Sequence, residues 1–147
     1  MDISKLKSFN SKNFEVICDH LALVDPDLVA IIDAYDYPPL WSRPNSYETL
    51  VHIILEQQVS LASAQASLEK LRLKVRHITP KNVAALSDEE FRNATISRQK
   101  AGYIKQLAQQ IISGNLNIGA LKNLTDDNIR KTLIKLKGIA IGRWMSI

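Results

Sequence analysis

Three short segments hold residues whose types and spacing could grip a polyanion. In Ile54-Leu55-Glu56-Gln57-Gln58-Val59-Ser60, two glutamines join two apolar runs where a plain helix-helix turn would favour glycine or asparagine. Each amide offers both donors and an acceptor, so the pair can line a groove, reach base edges or fill the gap left by an extruded nucleotide. A polar turn with solvated side chains explains the same residues, and the segment alone leaves both readings open. The second segment is Leu136-Lys137-Gly138-Ile139-Ala140-Ile141-Gly142-Arg143-Trp144. A helix followed by a hairpin bounded by Gly138 and Gly142 can turn several backbone N–H groups toward one point and form a nest for a phosphate oxygen, with Lys135, Lys137 and Arg143 around it. An ordinary helix-helix corner that uses glycine for its shape is the alternative. The third segment, Ser97-Arg98-Gln99-Lys100-Ala101-Gly102-Tyr103-Ile104, is a capped helix start whose cations in isolation read as a solvated basic face.

Composition narrows the chemistry further. Cys18 is the single cysteine, so neither an internal disulfide nor a cysteine-rich zinc site can form, and beside Val16 and Ile17 it reads as a small buried apolar residue. His20, His52 and His77 lie far apart without repeated ligand spacing, so no metal is expected. The formal charge of +4 and pI near 9.2 fit a polyanion partner without establishing one. No run approaches the roughly 18 apolar residues of a membrane span, and residues 1–12 mix charge and polarity instead of forming an apolar signal core. The expectation is a soluble cytoplasmic protein with no membrane association.

The elements that must position these segments are helices. Apolar residues recur at helical spacing through most of the 147 residues, and no stretch alternates convincingly enough to demand a strand. Asp25-Pro26 marks a helix start, with Leu28, Ile31 and Ile32 on one face. Pro38, Pro39 and Pro44 make the stretch from Tyr35 to Asn45 a loop. Ser46 opens the next helix, with Leu50, Ile53 and Ile54 inward and His52 off that stripe. A helix from near Ser60 runs through Ala64, Leu68 and Leu71, and its small residues Ala62, Ser63, Ala64, Ala66 and Ser67 suit close packing. Thr79-Pro80 starts a short helix, and Ser87-Asp88-Glu89-Glu90 has capping-box spacing. After Ser97, the residues Ala101, Ile104, Leu107, Ala108 and Ile111 face inward until Gly114 supplies a left-handed stop. Thr125 caps the last full helix, whose stripe is Ile129, Leu133 and Leu136. The prediction is an all-α, compact bundle of about eight short helices, with an N-terminal helical segment over 1–24 and the main domain over 25–147.

Taken together and in order, the segments resemble the helix-hairpin-helix (HhH-GPD) DNA glycosylases, specifically the alkylation-repair branch known as 3-methyladenine DNA glycosylase II. The matching run passes from Asp25-Pro26 through Arg43-Pro44-Asn45-Ser46-Tyr47-Glu48-Thr49-Leu50-Val51, the glutamine segment and Ser97–Tyr103 to Leu136-Lys137-Gly138-Ile139. The resemblance implies base-excision repair: hydrolysis of the N-glycosidic bond of an alkylated base such as 3-methyladenine in double-stranded DNA, with no metal and no redox cofactor. It implies that Gln58, with Gln57 beside it, wedges into the duplex where the nucleotide leaves, and that Gly138, Ile139, Gly142 and Arg143 belong to the phosphate-gripping hairpin. For Trp41 two roles stay open, a wall against which the base stacks or a plain core or loop anchor.

Two departures from that family pattern bear on activity. The hairpin carries Ala140 and Ile141 before Gly142, where the pattern reads glycine, apolar, glycine, and alanine is disfavoured wherever positive φ is needed. The family's catalytic aspartate falls beyond Ile147, and neither Asp126 nor Asp127 matches it, both reading as helix-cap residues. The expectation is therefore a domain truncated at its C-terminus, with no catalytic residue of its own, impaired activity and self-association through an uncovered C-terminal face. A non-catalytic DNA-binding remnant of such an enzyme is the alternative.

Overall fold

The structure, a computed structural model, describes residues 10–137. Among these residues the chain forms nine α-helices and no strand, the all-α class expected. Its packing divides into two units between Ser42 and Arg43.

In the first unit, α1 (Phe14–Val24) packs on α2 (Pro26–Tyr35). Asp25 caps α2, its carboxylate accepting from the Asp27 N–H at 3.0 Å, and Pro26 fills the first position, where a missing N–H costs nothing. Cys18 is buried, as its apolar neighbours suggest. The α2 stripe is only partly covered: Leu28 and Ile32 are half-buried, Ile31 is 51 % exposed, and α2 has no buried residue. Two short helices bring too few apolar groups together to cover each other's faces. The Tyr37 hydroxyl donates to Asp19 at 2.5 Å, tying the loop after α2 back to α1.

The second unit holds the hydrophobic core. Its helices are α3 (Tyr47–Glu56), α4 (Leu61–Val75), α5 (Pro80–Ala84), α6 (Asp88–Asn93), α7 (Arg98–Ile112), α8 (Ile118–Leu121) and α9 (Asp126–Leu133). Helices this short are marginal on propensity alone, and each of these opens on a Ser, Thr or Asn whose side chain accepts a first-turn N–H. The cap at Ser87 is the full reciprocal box with Glu90. The helix not foreseen is α8, four residues capped by Asn117 and tied to the loop before α3 by Asn45 Nδ2 donating to the Ile118 carbonyl at 2.8 Å.

Helix α7 is the hub, packing on α3, α5 and α6, while α4 lies against α3. The inward residues are those the spacing picks out: Leu50, Ile53 and Ile54 on α3, Ala64, Leu68 and Leu71 on α4, and Ala101, Ile104, Leu107 and Ala108 on α7 are all buried. Among the small residues of α4, Ala64 and Ser67 meet neighbours, whereas Ala62, Ser63 and Ala66 face solvent. The buried Tyr47 donates its hydroxyl to the Ile104 carbonyl at 3.1 Å, pinning the start of α3 to the middle of α7. Gly114, at φ +80°, supplies the left-handed stop after α7.

Candidate nucleic-acid interface

The glutamine segment is the corner between α3 and α4. Its apolar half is anchored, with Ile54 fully buried and Leu55 2 % exposed. Beyond Glu56 the backbone leaves the helix. Gln57 is extended at φ −66° and ψ 126°, half-buried, with its N–H donating to the Ile54 carbonyl at 3.4 Å. Gln58 takes φ +58°, the left-handed region that a side chain with a Cβ enters at a cost, and it is exposed. Ser60 then caps α4, its hydroxyl accepting from the Ser63 N–H at 3.1 Å. Val59 at 42 % and Leu61 at 70 % exposure flank the corner, so one amide and two apolar side chains project from it together.

Two charged contacts hold this corner, and neither was foreseen. Glu56 receives both guanidinium arms of Arg43, at 2.8 and 3.1 Å, with His52 Nε2 at 3.4 Å from the same carboxylate. Burial is the largest influence on His52 and lowers its pKa, against the pull of Glu56. The imidazole is therefore neutral near pH 7, and Arg43 is the charge that balances Glu56. On the other side, Lys100 Nζ donates to the Leu55 carbonyl at 2.7 Å. The basic start of α7 thus lies against the glutamine corner instead of forming a wholly solvated face, and Arg98 and Gln99 beside Lys100 are exposed. The sequence separations, 13 and 45 residues, explain why helical periodicity gave no signal for either contact.

The remaining expected residues fall elsewhere. Gly138, Ile139, Gly142 and Arg143 lie outside the described residues, although Leu136, just ahead, packs against the core while Lys135 and Lys137 are exposed. Trp41 belongs to the first unit and is 80 % exposed, so it is no core residue, and the base-wall and loop-anchor roles both stay open. A cavity of about 280 Å³ in that unit, with Phe14, Tyr37 and Asp36 in its walls, does not include Trp41. Among the described residues before Arg43, Lys12 is the sole Lys or Arg, against Glu15, Asp19, Asp25, Asp27, Asp33 and Asp36. The described part of the first unit is therefore acidic, and the excess positive charge of the chain lies outside it. Among the described residues no group of three or more His, Cys, Asp or Glu side chains is placed to hold a metal, and no helix is long and apolar enough to cross a membrane.

A family model described as HhH-GPD superfamily base excision DNA repair protein matches residues 51–142, from the middle of α3 past α9. The chain belongs to the HhH-GPD superfamily. Within it, a Bacillus subtilis (strain 168) protein, YfjP, provisionally named a DNA-3-methyladenine glycosylase, is 26 % identical over 136 residues, covering 87 % of this chain and 46 % of its own. The crystal structure of a DNA-3-methyladenine glycosidase from Bacillus halodurans superimposes with a TM-score of 0.71 at 28 % identity, over 86 % of this chain and 58 % of the other. A Clostridium acetobutylicum 8-oxoguanine glycosylase/lyase, solved with double-stranded DNA, shares the fold at 16 % identity and a TM-score of 0.70, over 90 % of this chain and 53 % of the other. The chain spans about half the length of these HhH-GPD relatives. The glutamine corner, with its Arg43–Glu56 and Lys100 supports, lies within the stretch that the DNA-3-methyladenine relatives cover.

Proposed function

We propose that this chain forms the lesion-gripping part of a base-excision DNA glycosylase that hydrolyses the N-glycosidic bond of alkylated bases, such as 3-methyladenine, in double-stranded DNA. The observation that carries the reading is Gln58, exposed and held at φ +58° between two well-anchored helices of an HhH-GPD chain. A side chain projecting from a rigid corner can take the space an extruded nucleotide leaves, and strain of this kind persists only where surrounding structure over-determines it. Val59 and Leu61 add apolar surface that suits an opened base step.

In this reading Gln58, with Gln57 beside it, enters the duplex, and the hairpin of Gly138, Ile139, Gly142 and Arg143 takes the phosphates. Phosphate capture of that kind grips DNA without reading its sequence. A base alkylated on a ring nitrogen is cationic, hence already a good leaving group and attracted to aromatic faces. Charge that builds on the sugar as the bond breaks calls for a carboxylate, as in other glycoside hydrolyses, and neither Asp126 nor Asp127 matches the family's catalytic aspartate. No metal or redox cofactor enters the chemistry, which takes place with the chromosomal DNA in the cytoplasm. A second copy of the chain is the proposed protein partner, with Ile134, 46 % exposed, at the contact.

The test is base release from methylated duplex DNA by these 147 residues, scored as abasic sites, beside equilibrium binding to the same duplex. The expected result is salt-sensitive binding without release. Release above background would place the working carboxylate within this chain, and absence of binding would remove the DNA-gripping role.

A further inference from the structure

Two charges at the glutamine corner stand at the wrong ends of their own helices. Glu56 is the last residue of α3, beside that helix's negative pole, and no basic residue occupies the same turn. Lys100 is the third residue of α7, beside a positive pole, in a first turn that holds Arg98 and no acid. Local rules are broken at both positions, and such breaks mark places where a residue serves something other than its own helix. For Glu56 the compensation is Arg43. For Lys100 it is the end of α3: the last carbonyls of a helix lack intrahelical donors, and the ammonium donates to the carbonyl of Leu55, one residue before the helix ends.

The backbone just past α3 gives that contact its consequence. Many helices end on a glycine in the left-handed region, which needs no outside support. After α3 the left-handed residue is Gln58, whose Cβ makes the conformation costly, and the Gln57 N–H meets the Ile54 carbonyl only at 3.4 Å. The corner therefore depends on support from outside the helix. Ser97 fixes the base of Lys100, its hydroxyl accepting from the Lys100 N–H at 3.3 Å.

We propose that Lys100 is a positioning residue: by donating to the Leu55 carbonyl across 45 residues of sequence, it locks the end of α3 and sets the direction in which Gln58 projects. The Gln58 half of this proposal rests on the wedge role proposed for that side chain. The lysine touches no DNA in this role; it acts through the corner. The third of the sequence segments, the basic start of α7, thereby acquires a function as the brace of the glutamine segment.

The test uses Lys100→Met, which keeps length and loses the donor, with Lys100→Arg as the conservative variant and Lys100→Gln in place of methionine if that variant does not fold. Amide hydrogen exchange reads the corner, and affinity for a duplex with a stable abasic-site analogue, relative to an intact duplex, reads the wedge. The expected result for Lys100→Met is exchange at Gln57 to Ser60 faster by about tenfold, the order a lost hydrogen bond to a charged group would give, with α6 unchanged. The analogue-to-intact ratio falls as far as in Gln58→Ala, the double variant falls no further, and arginine restores most of the ratio. Unchanged exchange at the corner overturns the proposal. So does an equal loss of affinity for both duplexes with a salt slope reduced by about one, the mark of a phosphate contact. If the corner loosens while Gln58→Ala leaves the ratio intact, the wedge reading falls and the hold of Lys100 on the corner stands.

Discussion

Gln58→Gly separates shape from reach at the α3–α4 corner. Holding a residue with a Cβ in the left-handed region costs about 1–2 kcal/mol, and Gln58 sits there at φ +58°. Glycine removes that cost but gives the unfolded chain more freedom, which subtracts about 0.4–1 kcal/mol. The net expectation is a gain between roughly 0 and 1.5 kcal/mol, or a rise of up to about 6 °C in Tm for a chain of this size. Gln58→Ala keeps the strain and removes the amide from an exposed position, so its stability should stay within about 0.5 kcal/mol of the parent. Thermal unfolding by circular dichroism gives the stability order, glycine at or above parent and alanine near it. Binding to a lesion duplex gives the opposite order, with both variants weaker than the parent. A glycine variant less stable by more than about 1 kcal/mol would refute the strain argument, because it would mean the amide holds the corner together. Undiminished lesion binding in both variants would refute the claim that the side chain is there for DNA.

Other perturbations probe the supports. Glu56→Ala leaves Arg43 without its bidentate partner; Arg43 is partly exposed, so a loss of about 1–2 kcal/mol is expected, and a double-mutant cycle with Arg43→Ala should show coupling of at least about 0.5 kcal/mol by urea unfolding. The pKa of His52 is lowered by burial, so the unfolded chain binds the extra proton more readily; stability should fall as pH drops below about 6.5, and a pH series of thermal melts should flatten there in His52→Gln. Phe91, fully buried under α7 with Lys105 Nζ 5.4 Å from its ring centre, should cost about 3–5 kcal/mol when cut to alanine, enough to unfold much of the second unit by denaturant titration. Duplex binding by the parent should weaken steeply with salt, and a flat response in a filter-binding titration would mean that phosphates are not the main contact.

The sequence was most informative where the information is local. Helix starts are written in single side chains, and the caps at Asp25, Ser46, Ser60, Thr79, Ser87, Ser97 and Thr125 form as their residue types predict. Inward stripes on α3, α4 and α7 follow from spacing because each helix lies on a core that takes one face of it. On α2 the same kind of stripe stays largely uncovered, since periodicity says which residues share a face and nothing about whether a neighbour covers it. The α8 turn was missed because four residues carry no period. At the candidate site, the glutamine pair and the basic start of α7 were visible as separate segments, but the contact joining them was not. Lys100 reaches Leu55 through tertiary packing, and no local rule connects residues 45 apart. Glu56 and Lys100 did carry a trace of it, as charges opposed to the dipoles of their own helices.

The central claim is that the Gln58 corner meets DNA where a damaged nucleotide leaves, and site-directed disulfide trapping tests it most directly. Cys18 is the single cysteine and is buried, so a Gln58→Cys chain presents one accessible thiol to a duplex carrying a disulfide-tethered base opposite an abasic-site analogue. Leu73→Cys is the control: Leu73 is 85 % exposed and lies on α4 about 18 Å beyond the corner-side start of that helix. The account predicts that Gln58→Cys traps the analogue duplex well ahead of the intact one and that Leu73→Cys traps neither efficiently. Equal trapping by both positions, or none by Gln58→Cys under conditions where the chain binds the duplex, would contradict it.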